Sequence, residues 1–204
     1  MKEWLSEYGY LIIVFIVVLI IFIFLLNKAA KAYSKHVSSY KAQEAEIKRL
    51  TALKEKYADF TLETLTSANK EEVLEGVTLI YQLYLQKQEK MEDEFLKFNP
   101  EAQNIYVLDV FVEDASLITF FSENTDILRS RIVPALQMIG FSEESKAVQK
   151  IWQMYDLNCE EASLNEKEIE NIDKSVISDE FLTRIKLQAA EYIINNFETF
   201  KNYK

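Results

Sequence analysis

The hydrophobic positions come first as one unbroken block and then as spaced stripes. From Leu11 to Leu26 no side chain is polar, and the uncharged run reaches back to Tyr8. As a helix, Tyr8–Leu26 would span about 28 Å at about 1.5 Å per residue, against a hydrocarbon core of about 30 Å. Residues 1–27 are therefore expected to be an N-terminal segment and transmembrane helix. Trp4, Tyr8 and Tyr10 fall where interfacial aromatics belong, with Tyr10, Leu11 and Leu26 marking the span. A cleavable leader would need a shorter apolar core after a basic segment, and neither is present.

Residues 28–68 carry a weaker pattern without Gly or Pro. Tyr33, Val37 and Tyr40 keep a four-then-three spacing, and Ile47, Leu50, Tyr57 and Phe60 keep a similar one, but Glu44 and Lys54 interrupt the seam. A helical stalk is expected, with a marginal coiled coil as the alternative. Residues 69–204 then read as helices punctuated by caps. Asn69 with Glu72 has the form of a capping box, followed by a long helix whose buried stripe runs through Val73, Val77, Ile80, Tyr84, Met91 and Phe95. Asn99-Pro100 reads as cap plus first helical residue.

Residues 105–112, IYVLDVFV, have strand-like composition, yet the cap before them and the lack of a hairpin partner favour a helix buried on most sides. SLITFF after Asp114 predicts a short helix. Asp126–Ile139 predicts another, disturbed at Pro134, with Gly140 in the left-handed position at its end. Ser142 should cap a helix to about Tyr155, Ser163 with Glu166 forms a second capping box, and Ser178 starts the final helix. With three glycines and two prolines in 204 residues, few hairpin turns are available and the fold class is all-α.

Charge then separates the regions. Residues 28–60 hold eight Lys/Arg against four Asp/Glu, whereas residues 61–204 have a net charge of −13. Lys28 and Lys31 follow the apolar run directly, with no acid until Glu44, so the positive-inside bias places the N-terminus outside and the remaining chain in the cytoplasm. A basic stalk near anionic headgroups and an acidic domain repelled by them are expected. The same charge disfavours direct nucleic-acid binding and suits a protein partner, possibly a basic one.

Candidate chemistry is sparse. The one histidine, His36, lies in the stalk, which removes Ser-His-Asp, Cys-His and His-containing zinc arrangements from the domain. Cys159 is the only cysteine, and Glu160 and Glu161 beside it oppose a thiolate. No glycine-rich phosphate loop occurs. Carboxylate clusters at 92–94, 143–144, 160–161 and 166–173 read as solvated helix faces. No catalytic, cofactor-binding or metal-ligating residue is assigned, and no cofactor is expected. A carboxylate-based hydrolase or metal-binding protein is the weaker enzyme alternative.

Two stretches carry a family resemblance. Residues 113–148, EDASLITFFSENTDILRSRIVPALQMIGFSEESKAV, present Glu113, Phe120, Phe121, Asn124, Ala135, Leu136, Ile139 and Gly140 in the pattern of the DNA mimic protein 19-like family. The segment AAEYIINNFETF and Ile172-Asp173 resemble its final helix and the residues before it. The resemblance covers about residues 75–200 and implies a bacterial, all-α domain, often a dimer. It also implies, as one activity, an acidic surface that imitates DNA and occupies a transcription regulator. Ala115 and Ser116 replace the glycines of that pattern, so a left-handed turn there would be strained.

The expectation is a single-pass protein of the bacterial inner membrane. Its acidic cytoplasmic domain binds another protein without catalysis, through a surface including Glu113, Asp114, Asn124, Glu143 and Glu144. Sequestration of a basic DNA-binding protein is the narrower alternative.

Overall fold

The computed structural model describes residues 41–58, 60–156 and 166–203. Every regular element among them is helical, as the composition requires. The positions expected to form a membrane anchor, Tyr10, Leu11, Leu26, Lys28 and Lys31, with His36, Cys159 and Ser163, lie outside the described residues. Among the described residues no helix is long and apolar enough to cross a membrane.

The chain divides into two compact units, Met1–Ala52 and Leu53–Lys204. In the first, residues 41–52 are helical and almost wholly exposed, with Ile47 65% accessible, and Lys48–Glu44 and Arg49–Glu46 pairs along the surface. Residues 53–57 are also helical, the whole segment 41–57 being α1. The second unit continues with α2 (Leu62–Ser67), α3 (Lys70–Leu85), α4 (Met91–Phe95), α5 (Pro100–Asp114) and α6 (Leu117–Glu123). After these come α7 (Asp126–Arg129), α8 (Ile132–Met138), α9 (Ser142–Asp156), α10 (Glu166–Val176), α11 (Asp179–Asn195) and α12 (Phe197–Lys201).

Leu53, Tyr57 and Leu65, expected at the end of the stalk, are buried and belong to the core of the second unit. Tyr57 is held from outside its helix: its hydroxyl donates to Glu72 Oε1 at 3.4 Å, and Lys56 pairs with the same carboxylate. Glu72 therefore braces residues 56–57, while Asn69 still caps α3 through its contact with the Glu71 amide at 3.2 Å.

Helix α5 sits at the centre, packed by α3, α6, α8, α11 and α12. Ala102, Ile105, Val107, Leu108 and Phe111 are fully buried, which accounts for the strand-like composition of IYVLDVFV: a helix enclosed on most sides needs no polar stripe. Asn99 caps it through the Ala102 amide at 2.8 Å, with Pro100 at the first helical position where its missing N–H costs nothing. The Asn99 side chain also donates to the Thr199 carbonyl at 2.9 Å, and its amide donates to the Tyr203 carbonyl at 2.8 Å. Residues 199–203 are thereby tied to the start of α5, where Tyr203 packs against Tyr81 and Phe98 with centroids 4.5 and 4.9 Å away.

Two expected helices are interrupted. The stripe expected to run from Val73 to Phe95 ends at Leu85, where Lys87 and Gln88 close tight turns onto the Tyr84 and Leu85 carbonyls. Residues 86–90, QKQEK, offer the core no apolar side chain, and Met91 beyond them is 54% exposed rather than buried. The helix expected over Asp126–Ile139 is divided at Ser130-Arg131, upstream of the proline. Pro134 has no N–H for the Ser130 carbonyl and its ring crowds that group, so the break falls one turn earlier. Gly140 takes φ 92° as expected, and α8 closes with Gly140 donating to Gln137 O and Phe141 to Leu136 O.

A Cβ on Gly76 would collide with three ring carbons of the fully buried Tyr57. Gly76→Ala should therefore destabilise the protein by about 1–3 kcal/mol through overpacking, outweighing the ~1 kcal/mol that alanine gains in a helix. Chemical denaturation of the full chain measures this, with a lower midpoint expected.

Candidate binding surface

The break after α3 opens a recess. The C-terminal turn of α3, α4, one face of α5 and the α6–α7 region enclose a groove of about 480 Å³. Its apolar wall is Leu85, Phe95, Ile127 and Leu128, with Met91 on the lip. Tyr106 joins from α5, its ring 5.3 Å from that of Phe95. Burial raises the Tyr106 phenol, reinforced by Asp109 and Glu113, so it stays a neutral hydrogen-bonding group. Gln82, Gln86, Glu92 and Thr125 supply polar atoms at the edge.

The charges on α4 are unequal in their engagements. Asp93 lies 3.7 Å from Lys90, and Glu94 pairs with Lys97 and accepts the Tyr84 hydroxyl at 2.8 Å. That bond is the main reason the Tyr84 phenol is raised. Glu92 lines the groove and makes no ion pair among the described residues. Helix α3 has no basic residue in its last turn, Lys87 following just beyond the Gln86 cap.

The sequence-predicted surface residues fall in two places. Asp114 and Asn124 are brought together: Asn124 Nδ2 donates to Asp114 Oδ2 at 2.8 Å and to the Phe120 carbonyl at 3.0 Å. Burial raises the Asp114 carboxyl, and the Asn124 bond opposes that shift. This clasp ties the end of α6 to the end of α5 and serves the fold directly. Glu113 is exposed beside it. Glu143 and Glu144 stand in the first turn of α9, where the helix dipole favours acids. Glu143 pairs with Lys146 at 2.7 Å, and Glu144 lies 3.8 Å from Arg184, whose guanidinium covers the Phe141 ring.

Between Asp114 and Ser116, Ala115 has φ 51° and ψ 21°, a left-handed conformation that strains an L-residue. Asp173 of α10 offsets the strain. Its carboxylate accepts the Leu117 amide at 2.6 Å and the Ser116 hydroxyl at 3.0 Å, fixing the start of α6 from outside. Ala115→Gly should raise stability by about 0.5–1 kcal/mol, since glycine relieves a left-handed cost of about 1–2 kcal/mol and loses more chain entropy. Thermal unfolding would show a small rise in Tm.

Sequence reasoning passed over Asp109. It is 4% exposed on α5 and hydrogen-bonded to Thr78 of α3. Burial raises its carboxyl to about 7, opposed by the Thr78 bond and increased by Glu113 and Glu75, with Lys186 pulling the other way. The Thr78 hydroxyl donates to Asp109 Oδ2, with the Leu74 carbonyl 3.0 Å away as its alternative acceptor. The folded state holds a proton that the unfolded chain releases near pH 4.

This contribution to stability is complete below about pH 4, declines as pH rises, and is gone above about 7. Asp109→Asn should equal the parent in stability near pH 4 and exceed it near pH 8 by on the order of 4 kcal/mol. Urea unfolding of both proteins across that range is the check.

Among the described residues no group of three or more His, Cys, Asp or Glu side chains is placed to hold a metal ion. Compared with protein-family models, curated proteins and solved structures, the chain matches none. Of the positions behind the family resemblance, Phe120, Phe121, Ala135, Leu136 and Ile139 are core residues and Gly140 is a helix cap.

Proposed function

We propose that the chain is a single-pass, membrane-anchored protein-binding module that acts without catalysis. Its acidic helical unit stands in the cytoplasm and meets a basic partner. The observation that carries this reading is the segregation of charge. Leu53–Lys204 contains 29 Asp/Glu against 16 Lys/Arg, a net of −13, after a basic segment that follows an apolar run of membrane-spanning length. Such a field accelerates encounter with cationic surfaces and repels nucleic acid and anionic lipid. The absence from the sequence of any histidine beyond His36, and of a second cysteine, leaves protein binding as the better-supported class.

Two measurements test it. An impermeant thiol reagent should label Cys159, the single cysteine, only after cells are permeabilised; labelling of intact cells reverses the assigned orientation. Crosslinking in native membranes should capture a basic protein at about 50 mM salt and lose most of it near 300 mM, as the screening length falls from roughly 14 to 6 Å. Capture that is indifferent to salt, or no capture at all, contradicts the proposal.

A further inference from the structure

We infer that the groove between the end of α3, α4 and α7 receives an amphipathic helical segment of a basic protein, and that Glu92 is the ionic contact. This rests on the protein-binding reading above and specifies its site. The recess of about 480 Å³ is lined by Leu85, Phe95, Ile127 and Leu128. These residues can take apolar anchors spaced three or four positions apart on one helix face.

Its walls are helix ends and helix faces, with no sheet edge to which an extended strand could add. Met91, 54% exposed on the lip, carries apolar surface outward beyond what a small ligand within the recess would cover. A thioether there adapts to differently shaped anchors.

Charge complementarity fixes the sign of the occupant. Neighbouring Asp93 and Glu94 have lysine partners, whereas Glu92, facing the groove, has none among the described residues. The adjoining end of α3 presents the negative end of a 16-residue helix dipole, tempered by Lys87 just beyond the Gln86 cap. A lysine or arginine one turn from the apolar anchors would meet both. An acidic or neutral helix would leave Glu92 facing nothing, or a like charge.

The experiment uses the full chain in phosphatidylcholine nanodiscs, with ¹³C-methyl methionine. The probe is a fluorescent Leu/Lys amphipathic peptide of about 18 residues, five helical turns. A Leu/Glu peptide of the same pattern, a Ser/Lys peptide of the same charge, and empty nanodiscs serve as references. The Leu/Lys peptide should shift the Met91 methyl resonance and leave that of Met138 in place. Both control peptides should bind at least tenfold more weakly.

Met91→Glu, at an exposed position, and Glu92→Lys should each weaken binding about tenfold. Glu143→Lys, the same charge change on α9, should alter it less than twofold. An unmoved Met91 methyl with peptide bound, equal binding of the Ser/Lys peptide, or equal effects of Glu92→Lys and Glu143→Lys overturns the inference. If a crosslinked basic partner is retained by Met91→Glu, the groove is excluded while protein binding stands. If neither peptide nor partner binds anywhere, both fall.

Discussion

Helix α5 has to satisfy two demands at once. It is buried on most of its circumference, so it must be apolar nearly all round, yet its sequence also carries Gln103, Asn104 and Asp109 within that envelope. Each buried polar group restricts what surrounds it. Gln103 is satisfied on its amide side by the Phe98 carbonyl at 2.7 Å, which fixes the approach of the chain from α4. Asp109 needs Thr78, which fixes the facing register of α3. Helices α3 and α11 pack closely on one another and on α5, so an error in seating α5 would propagate to every other contact in the unit.

The groove beside α4 is a by-product of the same arrangement. Helix α3 ends at Leu85 because QKQEK has nothing to bury, and the chain must still return to the Asn99 cap. The short α4 bridges that interval with Phe95 turned inward and Met91 outward. On the opposite wall, the break imposed by Pro134 frees residues 126–129 to form the brief α7, which brings Ile127 and Leu128 to the groove. Two local failures of helix continuity, about forty residues apart in sequence, thus leave one recess.

Much of the helical frame could be read from the sequence because it depends on short-range chemistry. The caps at Asn69, Asn99 and Ser178 and the left-handed Gly140 involve residues within a few positions of one another. The tension at Ala115 was equally legible, since an L-residue at a turn that favours glycine is a local conflict. The Asp173 carboxylate that resolves it comes from 56 positions away and carried no such signal.

The Asp109–Thr78 pair and the groove escaped for the same reason, being products of how helices face one another. Met91 was assigned to the core because its spacing continued the α3 stripe, and periodicity cannot say where a helix stops. The acids at 113–114 and 143–144 drew attention as charge, yet Asp114, Glu143 and Glu144 have intramolecular partners. The acid that faces the groove, Glu92, lay in a cluster that sequence alone treated as solvated surface.

The ties from Asn99 and Tyr81 to residues 199–203 have a consequence for biogenesis. Tyr81 donates to the Phe200 carbonyl at 3.1 Å across a sequence separation of 119, so the aromatic cluster at the start of α5 cannot close until those residues have left the ribosome. Throughout that interval Phe98, Tyr81 and the adjoining core surface are exposed on a nascent chain. An apolar segment such as Leu11–Leu26 would already be competing for a membrane. On the membrane-anchored reading proposed above, delivery to the bilayer before folding would hold the chain apart from its neighbours while its core is still open, and early targeting would then guard against aggregation as well as serve as an address.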